Sequence, residues 1–536
     1  MIARRTRPGA AVARRLAVAA LRLAVAGAAV AACALVALPP AEAAAQAPHA
    51  SSSGAPPIAL GTASWPLDSL AVSPYVIHAL DGVDHEAELL RLGVPETHAS
   101  PTGRHIVIAL LRFRSTAVAP GPPIVFLPGG PGYPGSLLAR APFYVKLFER
   151  LRSQSDVLVL DQRGAGFSVP NLQCVTKGSL PPDAFASGEK VTIALGTMLR
   201  PCVRLIRDDG VDVSAYNTRE SAEDLEDLRR VLGADRLRLI GASYGTELAL
   251  EYVRLHGDRV DRVVLAGTRG PDQAYQLPST VDVQLRRFST LVATDPDFGP
   301  TLPDFAGAVR HELETLRWRP ASLVIRDAKS GKRVRVTVGD IGLQAIVAAD
   351  MSDWVRGVFL PAMVASLARG DSALFTKRVE DLYNDQGGGI SVMQVAVDCA
   401  SGGSPERIAQ VAREAKTSLL GNVRNVLMNP AFCDLVGGAD LGPAFREPIE
   451  SDVPALFLSG SNDGITPPFE AEAVAWGFPQ GVHLVVRNGW HDTLPFAAVQ
   501  DAVADFFAGQ DLRGRRLEIP EPRFASVERA KELLLR

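Results

Sequence analysis

The sequence predicts an α/β fold: a mostly parallel central sheet with helices on both faces and a large, mainly helical cap inserted between its strands. Three observations predict it. Short unbroken apolar runs such as "PIVFL" (Pro123–Leu127) and "DVLVL" (Asp156–Leu160) suit strands buried on both faces. Segments of helical spacing alternate with such runs, as a parallel sheet requires. The alternation then breaks for about 185 residues and resumes, which marks an insertion between two strands.

Each segment has its own reason. Arg4, Arg5, Arg7, Arg14 and Arg15 form a basic start, and Leu23–Leu38 is an apolar run ending before Ala41-Glu42-Ala43. That order predicts a signal peptide over 1–43. The run is short for a bilayer span, so no stable span is expected after cleavage. The alternative is a lipoprotein anchored through Cys33, after "VAA". Residues 44–74 are rich in Ala, Ser, Pro and Gly and read as a flexible linker. The first part of the core is expected over 75–270. Its strands are Arg104–Phe113, Pro123–Leu127, Asp156–Leu160, Leu237–Gly241 and Val260–Ala266. Its helices are Ser136–Leu151, Ser221–Leu232, with carboxylates in the first turn, and Thr246–Leu255. Residues 271–450 are expected to form the cap, with a strand-like piece at Lys332–Val338. The core resumes over 451–520, with strands at Pro454–Leu458 and Val482–Val486 and a helix at Leu494–Phe507. Residues 521–536 read as a tail.

Composition narrows the function. The chain has 536 residues, a formal net charge of −3 and 21% charged residues, so it carries no basic footprint for nucleic acid. Removing the leader takes away six arginines and one glutamate and leaves the remainder more acidic. Besides Cys33, four cysteines remain: Cys174, Cys202, Cys399 and Cys433. In an exported chain they suit two disulfides. Neighbour pairing is one of three possibilities that sequence leaves open.

One stretch carries chemistry. "LIGASYGT" places Ser243 between Gly241 and Gly245, after a predicted strand and before a predicted helix. That is the setting of a nucleophile elbow, where a tight turn lifts a hydroxyl above the sheet. A serine hydroxyl is a weak nucleophile and needs a base. His491 lies in the loop after the last long strand; its competitor His483 lies inside that strand. The orienting acid should follow the preceding strand, where "SGSNDGITPP" supplies Asp463. Asp452 and Asp492 read as surface charges. The order Ser243, Asp463, His491 is that of an α/β-hydrolase triad. Oxyanion donors are expected from the Tyr244 N–H and from the "PGGPG" loop, with Gly130 first and Gly129 second; Pro131 has no N–H to give. No metal or cofactor motif is present. The partners expected are a short peptide or a small-molecule acyl substrate.

Together "GGPG" (Gly129–Gly132), "DQRGAGFS" (Asp161–Ser168), "GASYGT" (Gly241–Thr246), Asp463 and His491 resemble the proline iminopeptidase and tripeptidyl aminopeptidase family of α/β hydrolases. The resemblance implies the α/β-hydrolase fold with a helical cap, no metal and no cofactor. It also implies release of short pieces from peptide amino ends. The four cysteines look like the secreted tripeptidyl branch. In that family cap carboxylates hold the substrate's amino group, and Asp350, Asp353, Glu380, Asp381 and Asp398 are the candidates here. Two departures stand out. Pro128 replaces the family's leading histidine, and Cys399-Ala400-Ser401 lacks a carboxylate often found two residues after the cysteine. An esterase or amidase with the same triad is the alternative function; a binding protein without catalysis is a third.

Overall fold

The computed structural model describes residues 65–174, 179–388 and 390–535. The expected signal peptide, with Cys33, and most of the expected linker lie outside the described residues.

The centre is a ten-stranded sheet. Its strands are β1 (Leu70–His78), β2 (Asp84–Pro95), β3 (His105–Phe113), β4 (Ile124–Leu127), β5 (Val157–Asp161), β6 (Leu237–Ala242), β7 (Val260–Ala266), β8 (Ala455–Gly460), β9 (Val482–Arg487) and β10 (Leu517–Glu518). The spatial order is β1-β2-β3-β5-β4-β6-β7-β8-β9-β10. The first three strands join antiparallel, and β3 pairs antiparallel with β5. From β5 to β10 every pairing is parallel. Each residue of β4, β5 and β8 is buried, as their unbroken apolar runs require.

Helices cover the sheet because their apolar stripes have nowhere else to go. Helix α1 (Pro142–Leu151) buries Tyr144, Val145, Leu147, Phe148 and Leu151. Phe148 packs edge-on against Phe126 of β4, with ring centroids 5.2 Å apart. Helix α2 (Thr218–Val231) starts where the Asn217 side chain accepts from the Glu220 N–H, a cap that satisfies an otherwise orphan donor. Helix α3 (Tyr244–His256) follows β6 directly and is buried along most of its length. After β4 the chain turns back to β5 on one side, while β6 lies on the other. Ligands in such sheets bind at this switch point, above the carboxyl ends of the strands. Leu127 and Gly241 are paired there.

The expected segment boundaries need three corrections. The linker does not extend to 74. Residues from 65 on are described, and β1 begins at Leu70 with an alternating exposure pattern. Pro74 sits in it without cost because an edge strand has spare N–H positions. The tail is not a tail. Val527–Leu534 is a helix capped by Ser526, and Phe524 packs on Phe288 in the cap. Finally, the helical layer expected as a cap over 271–450 draws on two insertions. Residues 278–446 supply most of its helices. The stretch after β5, expected as core, contributes the helix Gly188–Asp208 and the short strand Gln173–Cys174, which pairs with Ile390–Ser391. Phe185 bridges to Val338, the end of a hairpin formed by Ala321–Arg326 and Arg333–Val338.

Cys174 pairs with Cys202 and Cys399 with Cys433, with Cα atoms 5.9 and 5.5 Å apart. Both disulfides lie in the cap. Among the described residues no helix is long and apolar enough to cross a membrane.

Candidate active site

Ser243 sits between β6 and α3 with φ 54° and ψ −122°. A non-glycine residue in that region costs about 1–3 kcal/mol and persists only where its surroundings impose it. Here they do. A Cβ on Gly241 would lie 2.5 Å from the Gly245 carbonyl oxygen, and one on Gly245 would lie 2.0 Å from the Leu127 carbonyl oxygen. Only glycine allows β6, α3 and the end of β4 to come this close. The Ser243 N–H donates to the Ala266 carbonyl at 2.8 Å, tying the elbow to the end of β7.

The "PGGPG" loop leans on the same serine. A Cβ on Gly129 would meet the Ser243 Cβ at 2.9 Å and its Oγ at 3.4 Å. Gly130 has φ 113°, which only glycine adopts without strain. Among the described residues, no acceptor takes the N–H of Gly130 or of Tyr244. The loop is held from behind by the "DQRG" motif. The Gln162 side-chain amide donates to the Pro128 carbonyl at 2.9 Å. Asp161 accepts from the Ser136 and Phe167 N–H groups at 2.8 Å each, and burial pushes its carboxyl up to about 6. Arg163, fully buried, clamps Asp224 with two bonds of 2.8 and 2.6 Å and caps the Glu96 and Ala215 carbonyls. The motif braces the site from beneath.

Asp463 and His491 are in contact. The imidazole Nδ1 lies 2.8 Å from Asp463 Oδ2. The carboxylate also accepts from the Ile465 and Thr466 N–H groups at 2.7 and 3.0 Å and from the Thr466 hydroxyl at 2.8 Å. Burial alone would raise the Asp463 carboxyl; the His491 charge and these donors outweigh it and hold it below its ordinary value. Burial alone would lower His491; the Asp463 charge and hydrogen bond together with the Asp492 charge outweigh it and raise it. The imidazole lies over Gly267, where a Cβ would approach its Cε1 to 3.1 Å. Gly267 follows Ala266, the residue that holds the Ser243 N–H. The end of β7 therefore seats both the serine and the histidine. The His491 N–H donates to the Ser352 carbonyl of the cap at 3.3 Å.

The alternatives sit elsewhere. His483 bonds Ser459 Oγ at 3.0 Å inside the sheet, and burial lowers its pKa. Asp452 is exposed. Asp492 is not the surface charge expected. It accepts the Tyr144 hydroxyl at 3.0 Å, and burial pushes it up to about 6.

The cap carboxylates mostly have partners already. Arg378 grips Asp350 with bonds of 2.8 and 2.7 Å. Lys377 pairs with Glu380 and Asp381 at 3.3 and 2.7 Å. Asp398 pairs with Arg269 at 2.8 Å. Asp353 alone of the five has no ion pair among the described residues. Its Oδ1 accepts the Val355 and Arg356 N–H groups, and it adjoins Ser352 at His491. Sequence reasoning missed Arg424, which donates to Ser352 Oγ at 3.2 Å and lines a cavity of about 370 Å³ in the cap. No motif marks it.

The chain is similar to known hydrolases over parts of its length. The family described as "alpha/beta hydrolase fold" matches residues 122–317, and the family described as "TAP-like protein" matches residues 423–514. Serine protease Hip1 of Mycobacterium tuberculosis is 30% identical over 188 residues, 34% of this chain and 36% of that protein. Tripeptidyl aminopeptidase of Streptomyces coelicolor is 28% identical over 193 residues, 34% of this chain and 35% of that protein. Proline iminopeptidase of Neisseria gonorrhoeae is 27% identical over 147 residues, 27% of this chain and 33% of that protein. The matched stretch thus spans about a third of each relative's length.

Proposed function

We propose that this chain, which is an α/β hydrolase, is an exported serine peptidase that releases short pieces from the amino ends of peptides through an acyl-enzyme. The observation that carries the reading is the strained Ser243, under the Gly129 loop and tied to Ala266, next to the Gly267 floor of a carboxylate-anchored His491. The peptidase relatives support the peptide as substrate, and the two disulfides support export.

The chemistry follows from these groups. Ser243 Oγ attacks the scissile carbonyl carbon while the His491 Nε2 takes its proton. Asp463 holds the Nδ1–H tautomer and stabilises the imidazolium. The carbonyl oxygen becomes an oxyanion between the Gly130 and Tyr244 N–H groups; each such donor is typically worth ~2.7–4 kcal/mol in the transition state. The imidazolium then gives its proton to the leaving amine, and the C–N bond breaks. Water, activated by the same imidazole, attacks the ester, and Ser243 leaves with the proton returned. Asp353 is the cap carboxylate free to take the substrate's ammonium group.

Ser243→Ala is expected to abolish turnover and labelling by a serine-directed phosphonate. Labelling that persists on another serine would overturn the assignment. A panel of chromogenic peptides with free and blocked amino ends tests the specificity; equal turnover of the two would defeat the aminopeptidase reading. A second reading, an esterase or amidase, is favoured by one observation: no aspartate or glutamate lines the cap cavity.

A further inference from the structure

We propose that the cap cavity beside the triad is a substrate subsite for an acidic side chain, read by Arg424. The inference rests on the acyl-transfer reading of Ser243 and deepens it by naming the substrate class.

The cavity is mostly apolar. Phe185, Leu195, Ile341 and Leu427 form its walls, and the polar side chains among its lining are Gln386, Gln394 and Arg424. Its volume of about 370 Å³ suits a side chain or short acyl group. Two of its walls adjoin residues that contact the candidate site. Arg424 Nη2 bonds Ser352 Oγ, and the Ser352 carbonyl takes the His491 N–H. Gln394 follows Met393, whose sulfur would stand 2.9 Å from a Cβ on Gly132 in the oxyanion loop. These links put one wall of the cavity one residue away from His491 and another beside the Gly132 turn, so part of a bound acyl group would extend into it.

Arg424 is an unusual group to place there. Nη2 is used, on Ser352 Oγ and on the Ala348 carbonyl. Nε is enclosed and has no partner, and among the described residues no hydrogen bond uses Nη1. No carboxylate pairs with Arg424 among the described residues. The two whose charge it feels, Asp463 and Asp350, are held by His491 and Arg378. Burial pushes its pKa down to about 10, so it remains charged at neutral pH. A part-buried guanidinium with an enclosed, unpartnered Nε and no counter-ion is costly, and a carboxylate entering the cavity would relieve that cost. The planar guanidinium suits a carboxylate, and the Gln394 side-chain amide, unused by the protein among the described residues, adds a donor on the other wall. The same cavity rejects an ammonium group, so the substrate's amino end must lie elsewhere, as the Asp353 assignment requires.

The test uses peptide nitroanilides with free amino ends, matched as Glu and Gln at each of the first three positions. In the wild-type protein one position is expected to favour Glu by about 10-fold or more in kcat/KM, the scale of one charged hydrogen-bonded contact. In Arg424→Gln the ratio is expected to fall to within about 2-fold, and in Arg424→Lys to lie between. Glu no better than Gln at every position in the wild type overturns the proposal, even if neither variant folds. So does a Glu preference unchanged in Arg424→Gln. N-succinyl and N-butyryl peptides separate the two readings. Preference for succinyl, with no turnover of free-amino peptides, keeps the carboxylate subsite and removes the aminopeptidase. Where turnover is too slow, the matched peptide acids are compared as protectors of Ser243 against the phosphonate. Failure of the phosphonate to label the wild type removes the serine hydrolase reading, and the subsite with it.

Discussion

Asp463 acts on His491 through charge, and that charge sets a pH limb. In the proposed mechanism the imidazole must be neutral to accept the Ser243 proton. Burial lowers its pKa, but the Asp463 carboxylate at 2.8 Å, by charge and hydrogen bond, and the Asp492 charge together raise it by more. The acid limb of kcat/KM should therefore have its midpoint above the ordinary histidine value of about 6.5. Asp463→Asn removes the charge and leaves burial, so the midpoint should move below about 6.5. It also removes control of the tautomer, and kcat should fall by about 10³–10⁴-fold. A pH–rate profile of the two proteins checks both signs. An unchanged midpoint in Asp463→Asn would mean that another group orients the imidazole. Asp492 is the obvious one, since it adds its own charge to His491.

At the scale of elements, the site depends on close backbone approach. Gly241 and Gly245 let β6 and α3 pass against β4, and Gly129 lets the "PGGPG" loop rest on Ser243. The three should respond differently to alanine. At Gly245 the added Cβ would stand 2.0 Å from the Leu127 carbonyl, inside the sheet, so Gly245→Ala should cost roughly 1–3 kcal/mol of stability or more. At Gly129 the clash is with Ser243 itself, at 2.9 Å, and the loop can move outward. Gly129→Ala should therefore keep its melting temperature within a few degrees while losing about 10²-fold or more in kcat, as loss of one oxyanion donor does. Thermal unfolding and steady-state kinetics on the same samples distinguish the two. This is also where sequence reasoning was strongest. A serine between two glycines at a strand–helix junction is a local pattern, and the Asp463 and His491 positions follow from counting strands. The reading was weaker where partners are remote. β1 alternates polar and apolar residues around Pro74 and resembles linker until β2 is placed beside it. Arg424 carries no motif, because its burial is set by elements distant in sequence.

For the whole molecule, the sheet and the cap are held by different means. The sheet relies on buried strands and the helices over them. The cap joins the insertion after β5 to the one after β7 through the Gln173–Cys174 ladder, the Phe185–Val338 bridge and the packing of Cys174 and Cys202 in the common core. Both disulfides close loops within it, over 28 and 34 residues. Loops of that length are worth about 3–4 kcal/mol each in the chain-entropy account. Neither crosses to the sheet, where Ser243, Asp463 and His491 are mounted. Reduction should therefore loosen the cap first and leave the elbow standing. Under mild reductant, the protein should keep phosphonate labelling of Ser243 and much of its turnover of a small ester. It should lose turnover of peptides, which need the cap to hold them, and proteolytic nicking should appear within 174–202 and 399–433. Cys399→Ser with Cys433→Ser should do the same without reductant. Equal loss of ester and peptide turnover would show that the cap braces the triad itself. The route for that coupling is the Ser352 carbonyl on the His491 N–H, the direct bond from cap backbone to the histidine.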